Sequence, residues 1–179
     1  MSEIDEFASS LLEEAKRFLE KAIEADEPES EAAHLHAALM LAFCALEAHT
    51  NAIADEFAVR PELTVHEKAV LLEQEVRLDK GQFRVGGLKM YRLDERILFL
   101  HHRFAPSPLD RTEKWWGDLS IAIELRNRLT HPKGKPGVKL EDVKRAIEAI
   151  ITGLDVLYRA IYRAPFPAAN RGLQSRYTF

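Results

Sequence analysis

With one cysteine in 179 residues, Cys44 has no partner inside the chain, which excludes a disulfide framework. Its place in an apolar run predicts a small packed hydrophobe rather than a nucleophile. Glycine and proline number only eight each, and β-branched runs are scarce beside Ala, Leu and Glu, so an all-β sandwich is excluded. No Gly-Lys-Ser/Thr follows Gly81, Gly86 and Gly87, which removes a phosphate-binding loop of that type. His-Glu-x-x-His is also missing, and His34 and His36 stand too close in sequence to share a helix face, so neither a metal nor a cofactor is expected. Met1 is followed by acids rather than bases, and the longest apolar run, Ala37 to Leu46, is half the length of a membrane span. These absences lead to the expectation of a cytoplasmic protein without a membrane partner.

What is present is helix. The 46% hydrophobic content can bury a core, and it falls at helical intervals. Ile4, Phe7, Leu11, Ala15, Phe18 and Ala22 predict a first amphipathic helix ending at Asp26-Glu27-Pro28. A second helix, about 29–57, has a middle that is apolar on every face, as a central bundle helix or a dimer interface requires. Thr64 and Glu67 form a capping-box pattern for a third helix expected to reach Lys80-Gly81. Residues 80–92 read as a loop or small hairpin, followed by a helix over 93–104 whose terminal His101-His102 should lie at the surface. A helix over 112–130 stops at His131-Pro132. In the last helix Leu140, Val143, Ile147, Ile150, Leu154, Leu157 and Ile161 make a seam of alternating three and four. The expected fold is all-α: an up-and-down bundle with a long central apolar helix, one domain over 1–163, and a tail over 164–179 draped on it through Phe166 and Tyr177.

The net charge of −4 conceals a division: residues 1–30 carry −7, residues 31–125 carry −4, and residues 126–179 carry +7. The acidic first helix should be solvated or face a basic partner, and the basic third could meet phosphates. On a helical projection from Trp115, the residues Leu119, Ala122, Ile123, Leu125 and Leu129 share a face, and Arg126, about 20° from Trp115, falls in its middle. A buried unpaired charge is costly, so Arg126 needs an ion partner, for which Glu47 is the candidate, or a solvated cleft. Asn127 and His131, one turn apart on the flank, complete a polar group at the end of an apolar helix. An ordinary helix stop with a structural ion pair would give the same pattern.

The stretch Glu124-Leu-Arg-Asn-Arg-Leu-Thr-His-Pro132 resembles the signature of the HEPN superfamily (higher eukaryotes and prokaryotes nucleotide-binding domains): an Arg, a polar residue that is commonly Asn, three more residues, then His. Ala-Leu-Glu-Ala-His-Thr-Asn at 45–51, the following helix, a variable insert and the long final helix extend the likeness over roughly 31–163. The resemblance implies a helical bundle that dimerises so that two motifs line one cleft. It also implies a metal-independent endoribonuclease acting on single-stranded RNA, a toxin or defence component with an antitoxin or other partner protein, or else an inactive interaction module. Carried over by position, Arg126 and His131 match the catalytic pair and Asn127 the polar residue beside it, with Glu47 and Asn51 supporting from the second helix. Histidine can move protons near neutrality, and arginine presents a fixed fork to phosphate oxygens. Lys133, Lys135 and Arg128 follow or flank the motif, while Arg84 and Lys89 accompany Phe83 and Tyr91 in the insert; these are the candidate RNA contacts.

Overall fold

The computed structural model describes residues 3–134 and 137–179, and it is mostly helical with one small antiparallel sheet. The elements run α1 (Glu3–Glu24), α2 (Pro28–Ala58), α3 (Val65–Leu71), β1 (Gln74–Asp79), β2 (Gln82–Leu88), α4 (Leu93–Phe104), α5 (Lys114–Thr130) and α6 (Leu140–Tyr162), with a 3₁₀ turn at Ala169–Arg171. Pro28 opens α2 at a position where the missing N–H costs nothing. Thr64 and Glu67 close the expected capping box at the start of α3.

The α1 stripe is rotated from the expected one. Ala8, Leu11, Leu12, Ala15, Leu19 and Ala22 are buried, whereas Ile4 and Phe7 are exposed. The alanines let α1 lie close against α2, where Ala38, Ala42 and Ala45 are likewise buried. Helix α6 packs on α2 and α5, its seam residues Val143, Ile147, Ile150, Leu154 and Leu157 all buried. Gly153 allows Trp115 to press on α6, since a Cβ there would stand 3.0 Å from the indole ring.

Helix α2 is long and apolar enough to cross a membrane by length and composition, but 61% of its most apolar window is buried inside the fold, as in a core helix. The burial is not all-round. Ala33 and Cys44 are exposed and Ala37 and Met40 only partly covered, so Cys44 is not the packed hydrophobe its run predicted. His101 also departs from expectation, because α4 turns it inward while His102 faces out.

The third helix is shorter than expected, ending at Leu71, and residues 74–79 form β1 instead. Lys80 and Gly81, with φ of 48° and 82°, make the two-residue turn that brings Asp79 opposite Gln82 and Leu78 opposite Phe83. Two positive φ angles in succession suit the right-handed twist of a hairpin.

The acidic first helix faces a basic partner that belongs to the chain itself. Ser175 and Arg176 donate to Glu13 and Glu20 on α1, Tyr177 shares a hydrogen bond with Ser10, and Arg17 donates to the Phe179 carbonyl. Phe166 is buried against His49 and Tyr158, so the tail packs through both of the aromatic residues expected to anchor it.

Candidate functional site

Helix α5 carries Trp115, Leu119, Ala122 and Leu125 into the core, and Arg126, partly buried beside them, reaches across to α2. Its Nη2 donates to Glu47 Oε1 at 3.2 Å, and its guanidinium carbon lies 5.2 Å from the centroid of the Phe43 ring. The pair is half open: the Arg126 side chain is 22% exposed and that of Glu47 46%. Arg126 Nε is buried without a hydrogen-bond partner. An ion pair this exposed contributes at most about 1 kcal/mol, so Arg126 is held in place without being locked there.

Beside this pair lies a cleft of about 390 Å³. One wall is α2, with Glu47 and Asn51; another is α5, with Ile123, Arg126 and Asn127. The third comes from the hairpin and its exit, with Glu73, Met90, Tyr91 and Arg92, running into Leu93, Asp94 and Arg96 of α4. The four positions Glu47, Asn51, Arg126 and Asn127 thus meet in one place, although 79 residues separate the ion-paired two.

In the third wall Tyr91 belongs to the insert expected to contact RNA, whereas Glu73 and Arg96, which hold the wall together, were not expected there. Arg96 is buried, with Nη1 3.0 Å from Glu73 Oε2 and Nη2 donating to the Leu71 carbonyl at 3.1 Å. Burial pulls its guanidinium below the ordinary arginine range, opposed by the charges of Glu73, Glu47 and Asp55. Glu73 adopts a left-handed backbone, φ 50°, which is strained for a side chain of its size. That bend lets its carbonyl take the Lys89 N–H at 2.8 Å while its carboxylate takes the Tyr91 N–H at 3.2 Å. One residue therefore ties the start of β1, the exit of β2 and α4 together.

The remaining candidates are dispersed. His131 caps the C-terminus of α5, donates its N–H to the Asn127 carbonyl, is exposed and stands outside the cleft lining of the single chain. Arg128 is exposed in the last turn of α5 and Lys133 is exposed beyond its end, and Lys135 lies outside the described residues. Arg84 sits along β2, exposed, 3.6 Å from Asp79 and opposite Arg77. Lys89 precedes the cleft-lining Met90 and Tyr91, its ammonium 5.0 Å from the Tyr91 ring centroid. Cys44 neighbours the Arg126–Glu47 pair; desolvation and then the Glu47 charge push its thiol up, which keeps it protonated and a poor nucleophile.

A sequence signal for Arg96 existed. Leu93, Arg96, Ile97 and Leu100 repeat at helical spacing with a cation inside an apolar row, the same anomaly that marks Arg126. Among the described residues, no group of three or more His, Cys, Asp or Glu side chains is arranged to hold a metal ion. Compared with family models, curated proteins and solved structures, the chain has no match in any of the three.

Proposed function

We propose that this chain is a metal-independent endoribonuclease of HEPN type, an up-and-down helical bundle that works as a homodimer on single-stranded RNA. The observation that carries the reading is the convergence of Arg126 and Asn127 with Glu47 and Asn51 on one open cleft. In the reaction the RNA 2′-oxygen attacks the adjacent phosphorus, the bond to the 5′-oxygen breaks, and a 2′,3′-cyclic phosphate remains. Arg126 would stabilise charge on the non-bridging oxygens, and His131 would move the proton that leaves the 2′-hydroxyl or reaches the 5′-oxygen. One histidine per chain is thin for both roles, and an exposed His131 at the helix end is free to serve a site completed by the second copy.

A face for that second copy is available. Ala33, Ala37, Met40, Cys44, Glu47 and Asn51 lie within about 40° of one line along α2, so an uncovered apolar stripe runs directly into the cleft. The test is cleavage of single-stranded RNA in EDTA with cyclic phosphate ends. His131→Ala and Arg126→Ala should abolish it while leaving the circular dichroism spectrum intact. Unchanged activity in folded His131→Ala would remove the proposal. A toxin or defence role would add growth arrest on expression, dependent on His131 and relieved by a partner protein.

A second reading is a non-catalytic helical module of the same fold. It is favoured by one observation: within a single chain His131 stands outside the cleft that Arg126 lines. Inactivity on varied RNAs, with a lowered melting temperature for Arg126→Ala, would select it.

A further inference from the structure

The charge balance of the cleft limits what can enter it. Its three guanidiniums each face a carboxylate already: Arg92 donates twice to Asp94, Arg96 pairs with Glu73, and Arg126 with Glu47. Arg92 and Asp94 form a closed fork, and Arg96 divides its nitrogens between Glu73 and a carbonyl. Arg126 differs, because its pair with Glu47 rests on one hydrogen bond and is half open to the cleft. Helix α4 begins at this wall, but Asp94 and Glu95 in its first turn already offset its dipole. A triphosphate or pyrophosphate, carrying several charges, would meet net neutral walls. A phosphodiester, with one charge, matches a single guanidinium held in the cleft by one hydrogen bond of a half-open ion pair, which is Arg126.

The uncharged surfaces suit the rest of a nucleotide. Tyr91 is partly exposed in the wall, and its position is set from behind, through Glu73, by the buried Arg96. A ring on a fixed backbone offers a stacking platform, and the neighbouring Met90, largely exposed, has a thioether that adapts to flat ligands. Asn51 and Asn127 stand on the opposite walls, and their side-chain amides have no hydrogen-bond partner among the described residues. Each offers a donor and an acceptor without charge, as the edge of a base requires. A volume of about 390 Å³ is the size of one such unit.

The geometry points to a subsite for a single nucleotide of a single-stranded RNA, with its phosphodiester on Arg126, its base on Tyr91 and Met90, and its edge toward Asn51 and Asn127. The hairpin exit is then a specificity-determining wall. This inference rests on the ribonuclease reading for the identity of the chain that enters, but its binding is measured without cleavage.

The experiment follows fluorescence polarisation of labelled A, C, G and U single-stranded RNA oligomers on full-length His131→Ala protein, with and without Tyr91→Ala or Tyr91→Phe. Circular dichroism confirms that each variant folds. Tyr91→Ala should weaken binding about tenfold, as loss of one stacked base does, while Tyr91→Phe stays within about twofold. The slope of affinity against salt should be unchanged in Tyr91→Ala and shallower in Arg126→Met, which removes the phosphate contact. With His131 restored, Tyr91→Ala should raise KM and alter base preference at the cut site with kcat little changed. Binding that depends on Tyr91 without any cleavage supports the subsite and removes the catalytic reading. Cleavage whose affinity and base preference ignore Tyr91 overturns the subsite and leaves the catalytic reading standing. Failure of every oligomer to bind overturns both, and ATP competing as well as the RNA overturns the one-phosphate limit.

Discussion

Arg126 and Glu47 join α5 to α2 through one hydrogen bond of 3.2 Å, at a point where the two helices otherwise touch little. Under the proposed reading a ligand phosphate would compete with Glu47 for the same guanidinium, and the pair would oppose binding. Glu47→Gln should therefore strengthen RNA binding several-fold while changing stability by no more than about 1 kcal/mol, because the pair is half exposed. Polarisation and urea melts measure the two effects. A large loss of stability would mean instead that Glu47 braces the bundle.

Glu73 and Arg96 form the more buried pair, and losing one partner there is a different matter. Glu73→Ala leaves the Arg96 charge inside the fold and frees the Tyr91 N–H, so it should cost about 3 kcal/mol in urea unfolding. Replacing both residues, as Glu73→Ala with Arg96→Met, should recover a substantial part of that loss. If the double variant is no better than the single, the pair stabilises by more than charge compensation.

His49 is 1% exposed, with neither ring nitrogen hydrogen-bonded, packed edge-on to Tyr158 and Phe166. Burial lowers its pKa to about 4, against a weaker opposing pull from Asp5. The folded state thus holds His49 neutral, and between about pH 6.5 and 4 the unfolded chain takes up the proton that the folded one refuses. The contribution is fully present above pH 6.5 and falls with acidification, by about 2 kcal/mol at pH 5. His49→Phe should flatten that part of the profile of unfolding free energy against pH. An equally steep profile in His49→Phe would assign the acid sensitivity to other groups.

Lys16 is fully buried, and its ammonium, lowered mainly by desolvation, lies 3.7 Å from Glu13, which also faces Arg171 and Arg176 of the tail. Glu13 is thus the one carboxylate among three cations, and it accepts the Arg176 N–H as well. Glu13→Gln should destabilise the chain by about 3 kcal/mol and loosen residues 171–179, seen as faster amide exchange there. Lys16→Met, which replaces the buried ammonium with an apolar chain of similar length, should be near neutral or stabilising. The opposite ranking would show that Lys16 supplies net attraction.

The helices were legible because their apolar residues repeat over many turns, and Arg126 was legible as a cation inside such a row. How the third wall assembles was hidden for two reasons. Gln74 to Asp79 follows a capped helix in its sequence, and only pairing with Gln82–Leu88 across the Lys80-Gly81 turn makes it a strand. That reversal, hinged on the left-handed Glu73, carries Tyr91 to Glu73 across 18 residues of chain, a meeting that no local pattern encodes. Cys44 was misplaced for another reason: periodicity cannot say which side of a helix faces outward when all sides are apolar.

That outward side bears on assembly. Met40 and Cys44 lie one turn apart on the α2 stripe that ends at Glu47 and Asn51, and a homodimer sharing the cleft would bring two such stripes together. Cys44 is the chain's single cysteine, so a short bismaleimide should link two copies at low micromolar concentration, and Cys44→Ser should abolish the product. Met40→Glu would place a carboxylate in the contact, where losing hydration without a partner is costly, and should shift sedimentation to the monomer. It should also reduce RNA cleavage in parallel, since the missing copy takes its His131 with it. A wild-type chain that sediments as a monomer, or a Met40→Glu dimer of unchanged strength, would move the interface off this stripe and require the cleft to work within one chain.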